Sequence, residues 1–172
     1  MKKLLLSFIV MGSLFACKNV ETKETVTTEQ APATIEHIYK PTYTDNFKIG
    51  DQKNVLVVEQ LHQAMFAKDF KKIGDYLADT VVFNMEDGST VKGKEESLAY
   101  MEKAFAQLNV KNYTVTGAVP LVGENGHQWV IMFDSAEIET PDGKSQKVSW
   151  LDAFRFEEGK VVYMNGYAKS PK

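Results

Sequence analysis

From Asn54 onward the apolar positions fall on the helical period. Val58, Leu61 and Met65 recur at intervals of three and four, and Val57, Ala64 and Phe66 widen the stripe, which predicts a helix over Asn54 to Lys68. Asp69 is a good N-cap for a shorter second helix that turns Phe70, Ile73 and Leu77 inward. Thr80 to Met85 then changes to β-branched and aromatic residues and stops at Asp87-Gly88, the mark of a strand and a turn. After Gly93 the helical period returns in Leu98, Met101, Phe105 and Leu108. Beyond Val110 the period becomes two, predicting strands near Tyr113 to Val122, His127 to Ile138, Lys147 to Phe156 and Val161 to Ala168. The breaks fall at Gly123 to Gly126, Pro141-Asp142-Gly143 and Glu158-Gly159. Three helices with one strand among them, followed by four hairpin-linked antiparallel strands, predict an α+β domain whose helices cover one face of a curved sheet.

The first fifty residues are organised differently. Lys2 and Lys3 precede an apolar run of 13 residues, Leu4 to Ala16, too short to span a bilayer as a helix, so residues 1–16 read as a signal peptide. Leu14-Phe15-Ala16-Cys17 resembles the bacterial lipobox, which implies lipidation at Cys17 and a cell-envelope lipoprotein. A lone cysteine in an exported chain is thereby accounted for, and no internal disulfide can form. Residues 17–34 are rich in Thr, Glu and Lys with little to bury, and read as a disordered tether. Residues 35–50 carry Ile38, Tyr39, Tyr43, Phe47 and Ile49 and read as an extended arm lying on the domain, residues 51–172. Removing the signal takes two lysines and no acid, moving the net charge from −3 to −5. Lys68, Lys71 and Lys72 are then the only compact basic cluster, and a nucleic-acid partner is not expected.

Two stretches carry a family resemblance: Asp69-Phe70 through Tyr76-Leu77-Ala78-Asp79-Thr80-Val81-Val82-Phe83, and Asp152-Ala153-Phe154-Arg155-Phe156-Glu157-Glu158-Gly159-Lys160-Val161. With the order of elements, they resemble the nuclear-transport-factor-two-like superfamily, in its SnoaL-like and ketosteroid-isomerase-like branches. The resemblance implies a cone-like curved antiparallel β-sheet packed against three N-terminal helices, with a pocket between them. The fold hosts enzymes, ligand binders and interaction modules alike. By the same resemblance Asp152 takes the place of the protonated oxyanion-hole acid of ketosteroid isomerases, because an acid in an apolar pocket stays neutral and can donate a hydrogen bond. Alternation puts Trp150, Asp152, Phe154 and Phe156 on one face. An Asp paired with Arg155, Lys147 or a backbone amide accounts for the sequence equally well.

The remaining isomerase machinery does not carry over. Where that family has a carboxylate base past the first strand, this chain offers Asn84 or Met85, and its helix-one tyrosine is replaced near Leu61 or His62. Limonene-epoxide-hydrolase-like members need an acid, an arginine and an acid, and Arg155 is the one arginine here. His37, His62 and His127 show no ligand spacing, so no metal and no cofactor are expected. His62 reads either as a pocket acid or base, partnering Asp152, or as a core-rim histidine with a satisfied hydrogen bond. Tyr76, Tyr163 and Tyr167 can offer hydroxyls to a ligand or simply pack, and Trp129 and Trp150 can line a pocket or fill a core. The expectation is a lipoprotein whose pocket binds a small, largely apolar molecule through Trp150, Asp152, Asn84, Tyr76, Trp129 and Phe154. The alternatives are an enzyme using Asp152 and His62, or a module that forms a homodimer through its sheet.

Overall fold

The computed structural model describes residues 37–44, 46–140 and 142–169, so the signal peptide, Cys17 and the tether lie outside the described residues. Helix α1 is Gln52–Phe66, α2 Phe70–Gly74 and α3 Lys94–Phe105. The strands are β1 Phe47–Ile49, β2 Leu77–Asn84, β3 Thr90–Lys92, β4 Asn109–Gly123, β5 Gln128–Glu139, β6 Ser145–Glu157 and β7 Lys160–Lys169.

Local chemistry sets the helix starts. The Asp51 carboxylate accepts from the Lys53 amide and begins α1 at Gln52, three residues before its first apolar residue, Val55. Asp69 accepts from the Lys72 amide and begins α2. Gly93 leads into α3 at φ +90, a backbone angle that calls for glycine. Leu108, in helical register with Leu98 and Met101, falls past the end of α3 in the approach to β4.

All seven strands form one curved, unclosed sheet in the order β1-β4-β5-β6-β7-β2-β3. The expectation of a purely antiparallel sheet needs one correction: β2 pairs with β7 in parallel, with Phe83 opposite Met164. The meander β4 to β7 leaves the far edge of β7 unpaired, and β2 satisfies those backbone groups before the chain crosses through β3 and α3. Two short strands were not expected. β3 has three residues opposite the end of β2, and β1, from the arm, pairs with β4, with Lys48 opposite Val122. Three residues are too few to display a period.

Curvature comes from register shifts. In β4 they fall between Lys111 and Thr114 and between Val115 and Gly117, the first holding Asn112 at φ 50. The helices cover the inner face, where Val58, Leu61, Ile73, Val81, Phe83, Val130, Met132, Phe156 and Val161 form a buried core.

Candidate functional site

Between α1, α3 and the inner sheet face, the core opens into a cavity of about 380 Å³, a size that suits a small organic ligand. Its walls are largely apolar, including Phe66, Phe83, Met85, Phe105, Trp150 and Phe154. Polar groups converge at one buried place. His62 comes from the middle of α1, Tyr113 from β4, Asp134 from β5 and Asp152 from β6.

The strands bring these groups together through their pairing. On β5, Val130, Met132, Asp134, Ala136 and Ile138 are all buried, so Asp134 is the one charged residue in an otherwise apolar inward row. Met132 lies opposite Asp152, and Asp134 opposite Trp150, which makes the two acids diagonal neighbours. Across the other edge of β6, Asp152 faces Gly166, where an added Cβ would lie 3.2 Å from Asp152 Oδ1. Gly166 therefore leaves room for the carboxyl.

A directional hydrogen-bond chain joins three of the four groups. The Tyr113 hydroxyl donates to Asp134 Oδ2 at 2.7 Å and lies 3.0 Å from His62 Nδ1. With that hydrogen committed to Asp134, the tyrosine oxygen is left as acceptor for His62 Nδ1–H. His62 is also packed among rings: Phe66 stacks on it at 5.9 Å and Phe154 meets it edge-on at 5.8 Å. Asp134 Oδ1 is buried with no hydrogen-bond partner.

Burial dominates the ionisation of all four. It lowers His62 to about 4, so the imidazole is neutral and its 3.9 Å approach to Asp134 is no ion pair at neutral pH. Burial raises Asp134, the Tyr113 hydrogen bond acting in the opposite sense. Burial raises Asp152 to about 8, reinforced by the charges of Asp134 and Glu86 and opposed by a backbone hydrogen bond at Tyr167. Burial also raises the Tyr113 hydroxyl, with the Asp134 hydrogen bond and charge adding to it.

Each of His62, Asp134 and Asp152 brings one potential ligand atom within 4.8 Å of the others, a separation that a divalent cation can bridge. Sequence spacing gave no hint of this grouping. The Tyr113 hydroxyl already bonds both His62 and Asp134, which leaves Asp134 Oδ1 as the open atom of the group.

The candidates from sequence are distributed as follows. Asp152, His62, Trp150 and Phe154 line the cavity together. Asn84, Tyr76 and Trp129 do not line it. Asn84 points to the outer sheet face, donates to the Tyr163 hydroxyl at 2.7 Å and accepts from Thr90 at 2.9 Å, because alternation in β2 gives the inner face to Val81 and Phe83. Tyr76 packs half-buried against the core before β2. Trp129, out of phase with Val130, borders a separate outer cavity of about 470 Å³ with Arg155 and Tyr163, where its Nε1 donates to Tyr43 of the arm at 3.1 Å. Arg155 there approaches Glu157 at 3.4 Å and is on the face opposite Asp152. Met85 lines the inner cavity, with Glu86 beside it.

Tyr113 and Asp134 were absent from the expected site. Asp134 had a signal, an acid in phase with four apolar inward residues. Tyr113 had a weaker one, its alternation with Val115, because the shift after Lys111 breaks its phase with Val110.

The SnoaL-like domain family matches residues 58–164. No curated protein matches the chain. Among solved structures, an M. tuberculosis LEH-like epoxide hydrolase is similar at 14% identity and a TM-score of 0.56, over 69% of this chain and 84% of that one. An NTF2-like protein from Burkholderia xenovorans LB400 is similar at 18% identity and a TM-score of 0.54, over 71% and 93%. An NTF2-like protein from Cytophaga hutchinsonii gives 18% identity and a TM-score of 0.50, over 66% and 97%. At such identities the likeness carries the fold and no particular chemistry.

Proposed function

The chain belongs to the SnoaL-like domain family, and from that premise we propose that its cone binds a small, largely apolar molecule by one polar group, held where His62, Tyr113, Asp134 and Asp152 converge. The observation that carries this is the cavity of about 380 Å³, apolar over most of its wall and polar at that buried cluster. A chain from Thr34 onward should melt at a higher temperature with compounds of this type from a panel of small apolar alcohols, ketones and amines. Trp150→Ala should abolish the shift. A panel that stabilises nothing, or shifts that survive Trp150→Ala, would count against the reading.

Catalysis is the second reading, favoured by Asp152 at about 8. A neutral Asp152 can donate to an oxygen that gains charge during reaction, and uncharged His62 can accept a proton. NMR titration of Asp152 in the folded protein is the test, and an ordinary carboxylate midpoint would remove this reading.

Two further parts of the proposal concern location and assembly. Lipidation at Cys17 would hold the domain at the bacterial cell envelope, and Cys17→Ser should then move the protein from the membrane to the soluble fraction. A homodimer through the sheet is supported by an exposed apolar row across the outer face, Phe133 beside Leu151 beside Tyr167. Leu151→Glu should convert a dimer to a monomer in sedimentation velocity, and a wild-type chain already monomeric would refute this part.

A further inference from the structure

We infer that the polar group of the ligand is a protonated amine: the cavity is suited to a small hydrophobic cation. The inference rests on the cavity reading above and names the ligand's chemical class. It follows from counting hydrogens and charges around the buried cluster.

Tyr113 has one hydrogen, and it is committed to Asp134 Oδ2 at 2.7 Å. With the Tyr113 hydrogen on Asp134, the His62 tautomer that satisfies the 3.0 Å contact carries its hydrogen on Nδ1 and gives it to the Tyr113 oxygen. Neither group retains a hydrogen at those atoms for a ligand. Asp152 keeps a hydrogen of its own near neutral pH, but the group left without any partner is an acceptor: Asp134 Oδ1 is buried and unpartnered, on a residue only 4% exposed that lines the cavity. A buried acceptor with no donor is unfavourable, and a ligand hydrogen would relieve it. Asp152 brings a second carboxyl within 4.8 Å of Asp134 and His62.

The charge count points the same way. The wall carries the acids Asp134, Asp152 and Glu86, of which Asp152 keeps its proton near neutral pH, and no lysine or arginine among the described lining residues, so the fixed charge there is negative. An anionic ligand would add like charge in a poorly solvated space, whereas a cation supplies the missing counter-charge. A ketone would present an acceptor to the Asp134 acceptor. An alcohol offers one hydrogen and no charge, while a primary ammonium offers three hydrogens and a full charge. The rings fit as well. Phe66, Tyr113, Trp150 and Phe154 all line the cavity, so a cation at the cluster has aromatic rings in its wall.

Matched probes test this. Adamantan-1-amine, adamantan-1-ol and adamantane-1-carboxylate, with benzylamine, benzyl alcohol and benzoate as a second set, share their apolar bodies and differ in the polar group. Binding to the full chain, followed by calorimetry and by melting temperature near neutral pH, should rank amine over alcohol over carboxylate in at least one set. The expected gap between amine and alcohol is tenfold or more. Asp134→Asn, which removes the negative charge, should remove that gap between amine and alcohol. The wild-type ranking decides the question alone if this variant does not fold. Alcohol or carboxylate binding as tightly as the amine would overturn the cationic class and leave the cavity reading standing. No binding by any of the six would overturn both. Stabilisation by Mn²⁺ or Zn²⁺ alone, reversed by chelator and without preference among the organic probes, would overturn the amine in favour of a metal cation.

Discussion

Asp152 and His62 share one cavity, and burial moves them in opposite directions, the carboxyl up to about 8 and the imidazole down to about 4. Their effects on stability therefore oppose each other over part of the pH range. Between about 4 and 6.5 the unfolded chain binds a proton at His62 that the folded chain lacks, so His62 makes stability rise with pH. Asp152 does the reverse: the folded state keeps a proton that the unfolded state, with its carboxyl near 3.8, has lost, and this stabilisation disappears as pH rises through about 8. Above 6.5 the histidine no longer changes stability with pH and the loss from Asp152 continues, with raised Asp134 acting in the same sense. Stability should thus fall from pH 6.5 to 8.5, by up to about 2 kcal/mol from Asp152. Denaturant melts at the two pH values check this, and Asp152→Asn should flatten the slope. Tyr113→Phe removes the donor to Asp134 Oδ2 and the acceptor for His62 Nδ1, and should cost about 1–3 kcal/mol in the same melts. Asp152 was legible in the sequence because β6 alternates cleanly through Trp150 and Phe154. Asp134 was equally legible by that rule, since Val130, Met132, Ala136 and Ile138 mark its face. Tyr113 was not.

The bulges of β4 explain that difference at the level of elements. Strict alternation from Val110 would turn residue 112 inward, but two successive exposed residues, Lys111 and Asn112, hand the inward place to Tyr113. A bulge one residue long breaks the phase between Val110 and Tyr113, so only the short alternation with Val115 marks the hydroxyl that organises the cluster. The β6–β7 pair shows the opposite case, where a small residue has a geometric task that the sequence leaves unstated. Gly166→Ala would place a Cβ 3.2 Å from Asp152 Oδ1 and 3.3 Å from Met164 Sδ. The expected cost is about 1–3 kcal/mol by chemical denaturation, with a displaced Asp152 titration by NMR. Unchanged stability and titration would mean that β7 moves aside freely.

At the scale of the molecule, the sheet separates two environments. The inner cavity holds the acids and His62; the outer face carries Trp129, Arg155, Tyr163 and the contacts from Tyr43 and Phe47 of the arm. A chain starting at Asp51 lacks β1 and Tyr43, so Trp129 fluorescence should shift as its Nε1 bond to the tyrosine is lost. Ligand binding on the inner face should be unchanged. A binding loss equal to the fluorescence change would show that the two faces are coupled. Amphipathic period, caps and turn residues are local properties, so the sequence by itself determined the three helices, the four long strands, the α+β class and the inward row of β6. Tertiary structure alone decided that β2 closes on β7 in parallel and that β1 joins the β4 edge. It also decided that His62, Tyr113, Asp134 and Asp152, from four elements, meet at one place, and that Asn84 and Trp129 belong to the other face. Those outcomes depend on register, bulges and strand order, which are set by which backbone edges and apolar faces find partners across long separations in the chain, and no local period records them.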